Sequence, residues 1–303
     1  MNKKPPILFI LLFSIQVVVY SQTIISGKIV DRMKMKRGSY MQVLIALLFF
    51  FVFSAYMEAQ SPFWISPLSI DKYQVLDSAY LKITYKLYFI PDVKKTNTKV
   101  ENDLVLLVGT NNSKFSAKKV IDGIMEVENE GKGLAATEVF KDFKTKTELV
   151  TTRLMLTKNV YVYEEDIPNQ TWELTTDKKM IYSYSCQKAR TSFRGREYEA
   201  WYTNDILINN GPWKFGGLPG LILNVADSTG SYVFECVGIE NLNKKEAIKK
   251  YDWHYEKTTR KEFNTLLIRV FSNLAQWSSF NNKVLISGPK HIDPLPYNPI
   301  ELK

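Results

Sequence analysis

The chain has 303 residues, with 40 Lys and Arg against 31 Asp and Glu and a formal charge of +9. Seven of the basic and two of the acidic residues fall in positions 1–60, so the remainder carries 33 against 29. That mixed-sign balance lacks the concentrated basicity of a nucleic-acid binder, and two cysteines with two histidines make a usual structural zinc site only in a very particular geometry.

Two leader-like segments open the chain. Lys3 and Lys4 precede an apolar run from Ile7 to Val19, which ends at Tyr20, Ser21 and Gln22. Lys34, Lys36 and Arg37 precede a second run from Val43 to Phe53, followed by Ser54, Ala55 and Ala59. A basic start, a short apolar core and a small-residue exit make a cleaved export signal. Neither core reaches the roughly 20 apolar residues that span a bilayer. The expected address is outside the inner membrane: periplasmic, associated with the outer membrane, or secreted. No later run is apolar enough to anchor the mature chain. Residues 22–31 resemble the first strand of the carboxypeptidase-regulatory-like β-domain at the front of outer-membrane receptors, and Met33 offers a fresh start. Residues 1–32 thus read as an extra leader or gene-fusion remnant, 33–60 as the signal peptide, and 61–303 as a single domain.

Within that domain, Leu81, Ile83, Tyr85, Leu87 and Phe89 alternate with Lys82, Thr84, Lys86 and Tyr88, which predicts a half-buried strand over 80–90. Residues 103–108 predict a second strand, closed by a turn from Gly109 to Asn112. Ser116 before Val120, Ile121, Ile124 and Met125 predicts a capped helix, ended by Gly131 and Gly133. Strands are expected over 147–157, 159–164, 180–186 and 197–203. Pro219 and Gly220 take the second and third places of a type II turn over 218–221. Leu221 to Val225 and Tyr232 to Val237 then form a pair joined at Asp227 to Gly230. Thr259 and Glu262 make a capping box for a helix over 259–276, whose Phe263, Leu266, Leu267, Val270, Phe271 and Leu274 form one stripe. The proline-rich tail 294–299 cannot be helical.

The run from Cys186 through Phe193, Arg194, Arg196 and Trp201 into Gly211 to Ile222, with the ending Tyr297 to Glu301, resembles the GLPGLI family, named for the hexapeptide at Gly217 to Ile222. The resemblance implies an exported protein of a Gram-negative envelope, encoded beside outer-membrane receptors. It carries no established activity, cofactor or catalytic residue.

For Trp213, Lys214, Phe215, Gly216, Gly217, Leu218, Pro219, Gly220, Leu221 and Ile222 two readings stand. One is a ligand or partner surface; the other, which we favour, is a tight turn whose aromatics fill the core. The spacing is not that of a phosphate-binding loop. Arg190, Arg194 and Arg196, near Lys188, could grip an anion, but ordinary solvated charges, or salt bridges to Glu197 and Glu199, are the expected role. Trp201 belongs to the same motif set. Cys186 and Cys236 are expected to pair as a disulfide in an oxidising compartment, with two buried thiols as the alternative. His254 and His291 lie in no recognisable catalytic motif. We assign no catalytic residue, metal ligand or cofactor.

These readings give an α+β expectation: a curved, open barrel-like antiparallel sheet of about eight or more strands, with one main amphipathic helix packed on it. The expected function is non-enzymatic binding, as an accessory to an outer-membrane receptor or other envelope protein, or of an apolar ligand. The alternatives are a secreted hydrolase working through a histidine and a metal-handling protein using Met and Cys.

Overall fold

A computed structural model describes residues 68–123, 134, 136–154, 159–274, 276–277 and 294–303. Both leader segments, the residues 22–31 resemblance, the expected helix beyond residue 123, residues 155–158 and His291 lie outside the described residues.

Twelve strands form one sheet: β1 (Tyr73–Phe89), β2 (Val100–Val108), β3 (Asn112–Ala117), β4 (Thr137–Asp142), β5 (Thr147–Arg153), β6 (Val160–Asp166), β7 (Glu173–Ile181), β8 (Tyr184–Phe193), β9 (Arg196–Thr203), β10 (Leu221–Asp227), β11 (Tyr232–Tyr251) and β12 (Tyr255–Lys257). Their order is β12-β6-β5-β4-β3-β2-β1-β11-β10-β9-β8-β7, so the sheet is open, with β12 and β7 at its edges. All neighbours are antiparallel except β12 and β6. Among the described residues the helices are α1 (Lys118–Ile121), of four residues, and α2 (Arg260–Ser272), of thirteen. The α+β expectation is therefore corrected: the described chain is a β fold in which helix is a minor part. The twelve strands fall within the expected eight or more; β3 and β4 are not among those named above because polar residues such as Lys114, Ser116, Glu138 and Lys141 are buried in them.

In β1 the residues Leu81, Ile83, Tyr85, Leu87 and Phe89 are buried, as the period-two pattern requires. β1 and β11 are long, and their pairing slips at three places, between Val75 and Asp77, Ala79 and Leu81, and Thr84 and Tyr85. Such bulges bend a strand and sharpen its twist. The main core joins Tyr85, Phe115, Phe215, Phe234 and Leu104. A second, smaller cluster comprises Ala79, Val105, Leu107 and Ile248. β2 carries apolar side chains into both clusters, which is why it reads as a continuous apolar run.

Three local expectations change. Ser116 caps no helix: it is a buried residue of β3, its hydroxyl 3.4 Å from Glu138, and α1 has no side-chain cap. The expected single strand over 180–186 is a hairpin, turning at Tyr182, which adopts a φ of 53°. Gly220 does not take a positive φ, so the type II turn is absent; instead a Cβ there would stand 2.0 Å from the Thr203 carbonyl oxygen. Glycine is required by close approach, not by handedness.

At α2, Thr259 accepts a hydrogen bond from the Glu262 amide, and the Glu262 carboxylate accepts one from the Thr259 amide. Phe263 and Val270 are buried, and Leu266, Leu267 and Phe271 pack against the main core. No described helix is long and apolar enough to cross a membrane. Thr259→Ala is expected to cost about 1 kcal/mol of stability, read as a lower midpoint in urea unfolding with an unchanged slope.

Candidate functional site

The motif from Gly211 to Ile222 links β9 to β10, and the sheet ladder prepares its surroundings. Ser113 on β3 pairs with Lys141 on β4, Lys141 with Glu148 on β5, and Glu148 with Glu165 on β6. One cross-strand row thus presents a hydroxyl, an amine and two carboxylates. Two acids directly opposite each other are unfavourable unless a cation lies between them. The motif supplies it.

Lys214 enters this row with its side chain fully buried, flanked by Trp213 and Phe215. Its Nζ donates to the Tyr163 hydroxyl at 3.0 Å and to Glu165 Oε1, and forms an ion pair with Glu301 Oε1 at 2.8 Å. Glu148, also fully buried, is left 3.6 Å from the same nitrogen, and neither of its oxygens has a hydrogen-bond partner. Arg194 binds Glu165 at 2.8 Å, and Arg260 at the start of α2 reaches Glu301 at 3.0 Å and Glu165 at 3.4 Å.

The protonation pattern follows from this geometry. Burial, with Glu165 adding to it, pushes Glu148 up to about 7, although Lys214 and Lys141 pull the other way. Burial also favours the neutral amine of Lys141, and with Lys214 nearby brings it down to about 8, against the pull of Glu148. Burial opposes the charge on Lys214, yet Tyr163, Glu301, Glu148 and Glu165 together hold its pKa above the ordinary lysine value. Burial likewise opposes the charge on Glu165, but Lys214 and Arg194 outweigh it and keep its pKa below the usual range.

The motif backbone is closely satisfied. The Lys214 carbonyl accepts from Gln170 Nε2 at 3.1 Å, the Gly216 amide donates to Gln170 Oε1 at 3.1 Å, and the Gly216 carbonyl accepts from the Trp172 indole at 2.7 Å. Lys141 donates to the Phe215 carbonyl at 2.8 Å and to Asn210 at 3.0 Å. The Ile222 carbonyl accepts from the Tyr85 hydroxyl at 2.7 Å. Phe215 meets Tyr198 edge-on at 4.8 Å and Trp213 at 5.4 Å. Trp213 sits at a φ of 51°, and Gly217 at 84°. For a bulky residue the left-handed region costs about 1 kcal/mol or more, so this packing holds Trp213 against strain.

The packing reading of the motif thus describes its side chains better than the surface reading does. Trp213, Lys214, Phe215, Leu218, Leu221 and Ile222 are buried, and only Gly217 and Pro219 are exposed, with Gly216 between. Arg194 and Arg196 are inward-facing ion-pair partners, Arg196 lying 2.8 Å from Asp227. Arg190 and Lys188 pair with Glu199 at 2.8 and 3.8 Å on a more exposed part of the sheet, where Lys179 lies 4.3 Å over Trp201. Cys186 and Cys236 are both buried free thiols here, the alternative to the expected disulfide. Burial pushes Cys236 up to about 11 and raises Cys186 as well, which favours the neutral thiol over the nucleophilic thiolate. His254 is 83% exposed and lies 3.4 Å from Glu256. Among the described residues no group of three metal-ligating side chains could hold an ion.

Lys141, Glu148, Tyr163, Glu165 and Glu301 were not singled out from the sequence. The available signal was a charged residue at an inward position: Glu148 shares its strand face with buried Val150.

Glu148 carries a folded pKa of about 7 against an ordinary 4.5. A raised carboxyl pKa contributes stability below the unfolded value and loses it as pH rises through the folded one. Lys141, shifted from 10.5 to about 8, has the opposite dependence at higher pH. Glu148→Gln should therefore match the wild type near pH 4 and exceed it at pH 8 by on the order of 1–3 kcal/mol. Urea unfolding across that range checks it; a difference that stays constant with pH would contradict the assignment.

Comparison with known proteins adds the following. No curated protein matches. Two solved structures, described as "Structure of PNGF-II" in the C2 and P21 space groups, are similar at 18% and 17% identity with TM-scores of 0.44 and 0.45. They cover 62% and 63% of this chain but 32% and 33% of their own chains, so this chain spans about a third of their length. Residues 91–266, more than half of the chain and including the whole motif, match the family described as "N-glycanase peptide, N-terminal domain", and the chain belongs to that family.

Proposed function

We propose that residues 61–303 form a non-catalytic binding domain exported to the cell envelope, serving as an accessory to another envelope protein. The observation that carries this reading is the enclosure of the titratable cluster. The side chains of Glu148 and Lys214 have no exposed surface, and Glu165 and Glu301 are tied to Lys214, Arg194 and Arg260. Acid–base work needs such groups within hydrogen-bond reach of a substrate. The interior is filled by Tyr85, Phe115, Phe215 and Phe234, which favours a protein partner over an apolar ligand held inside. Export rests on the two leader-like segments, and the envelope setting on the GLPGLI resemblance. Membership in a family described as an N-terminal domain of an N-glycanase agrees with a domain that supports a catalytic part without being one.

A second reading, a hydrolase, has one observation in its favour. Glu148 and Glu165 are opposed across β5 and β6 and their pKa values move in opposite directions, as in an acid and base pair. The purified protein incubated with an N-glycosylated peptide separates the two. We expect no glycan release and, from envelope extracts cross-linked to the tagged protein, recovery of one discrete partner. Glycan release that disappears in Glu148→Gln would overturn the binding reading, as would extracts that yield no partner.

A further inference from the structure

The final residues do not join the sheet, yet the body holds them residue by residue. The Asn298 side chain donates to the Ile90 carbonyl at 2.7 Å and accepts from Arg196 at 2.5 Å, and its carbonyl accepts from the Tyr232 hydroxyl at 2.6 Å. The Pro299 carbonyl accepts from Arg196 Nε at 3.1 Å, and the Ile300 carbonyl from the Tyr198 hydroxyl at 3.3 Å. Glu301 takes Lys214 and Arg260, and the Leu302 amide donates to the Arg194 carbonyl at 2.8 Å. Ile300 is buried. A Cβ on Gly195, in the β8–β9 turn, would come within 2.9 Å of Leu302 Cβ, so the turn is cut back to admit the tail.

The body also fixes these donors without help from the tail. Asp227 holds Arg196 at 2.8 Å and is itself fixed by the Tyr232 amide at 2.8 Å and the Thr229 hydroxyl at 2.6 Å. Tyr198 and Tyr232 stand on β9 and β11, and Glu165 lies against both Lys214 and Arg260. Carbonyls gripped along an extended segment, with selected side chains read in pockets, are how proteins bind peptides. Donors set in place beforehand reduce the ordering cost of binding.

We infer that this groove is a peptide-binding site for an extended segment carrying Asn, then an apolar residue two positions on, then Glu, and that the chain's own tail is an exchangeable occupant. A segment of that pattern on another chain can take its place. This inference rests on the binding reading and names the chemical class of its partner.

The test begins with the full chain, folded first, with a protease site introduced between residues 278 and 293. After cleavage, the protein is equilibrated with an excess of labelled peptide spanning 294–303 and followed by fluorescence anisotropy and circular dichroism. We expect the labelled peptide to exchange into a body that stays folded. Peptides with Asn298→Ala or Glu301→Ala should bind about tenfold more weakly or worse, each having lost charge-assisted hydrogen bonds. The uncleaved chain should take up far less peptide, because its tethered tail competes at an effective concentration on the order of millimolar. Unfolding of the body after cleavage, a tail that never exchanges, or equal binding of the altered peptides would each overturn the inference. Envelope extracts that yield no partner would sink the functional reading while leaving exchange measurable, so the two failures are distinguishable.

Discussion

An ammonium group with no access to water needs its partners from the protein, and Lys214 finds them on two separate parts of the chain. Tyr163 and Glu165 come from β6, and Glu301 from the tail. Meeting that requirement fixes where the motif, the β6 strand and the last residues stand relative to one another. The carboxylates gathered around one lysine would repel each other, so Arg194 and Arg260 complete the balance and draw the β8–β9 turn and the start of α2 to the same point. Glu148 is the member with no hydrogen-bond partner, and burial pushes its pKa up to about 7. A buried ion cluster of this kind is weak evidence of extra stability compared with apolar packing. What it bears on here is arrangement, since Lys214 is paired at once with Glu165 of β6 and Glu301 of the tail.

The same device recurs twice. Lys114 pairs with Glu138 at 2.7 Å, donates to the Lys249 carbonyl at 2.9 Å, and lies near the rings of Phe140 and Tyr251. Arg196 pairs with Asp227 and passes its remaining donors to the tail. In these two a cation on one strand is neutralised by a neighbouring strand and also grips a backbone carbonyl of a distant segment. The open sheet, whose edges are not joined, is thereby fastened to its loops and tail by buried polar contacts as well as by the aromatic core.

Much of this was legible in the residues and some was not. The strand in β1 followed from strict alternation, and the start of α2 from Thr259 and Glu262, because both signals are local. β4 was missed because Glu138 and Lys141 are polar yet buried, which breaks the apolar pattern that marks a strand. Ser116 looked like a cap because its partner, Glu138, is 22 residues away and invisible locally. The hairpin at Tyr182 needs a positive φ at a residue that rarely adopts one. For the motif, the sequence showed glycines and aromatics but not the close approach of Thr203 that makes Gly220 necessary. The cluster around Lys214 depends on register between β4, β5 and β6, and register is a long-range property.

The central claim is that one buried cation couples the motif, β6 and the tail. Native-state hydrogen exchange on Lys214→Met tests it directly. Leaving Glu148, Glu165 and Glu301 without their shared partner should cost about 3–5 kcal/mol, and the Gly216 and Leu302 amides, one in the motif and one in the tail, should lose protection together and to a similar degree. Loss at Gly216 with Leu302 protected as before would contradict the account.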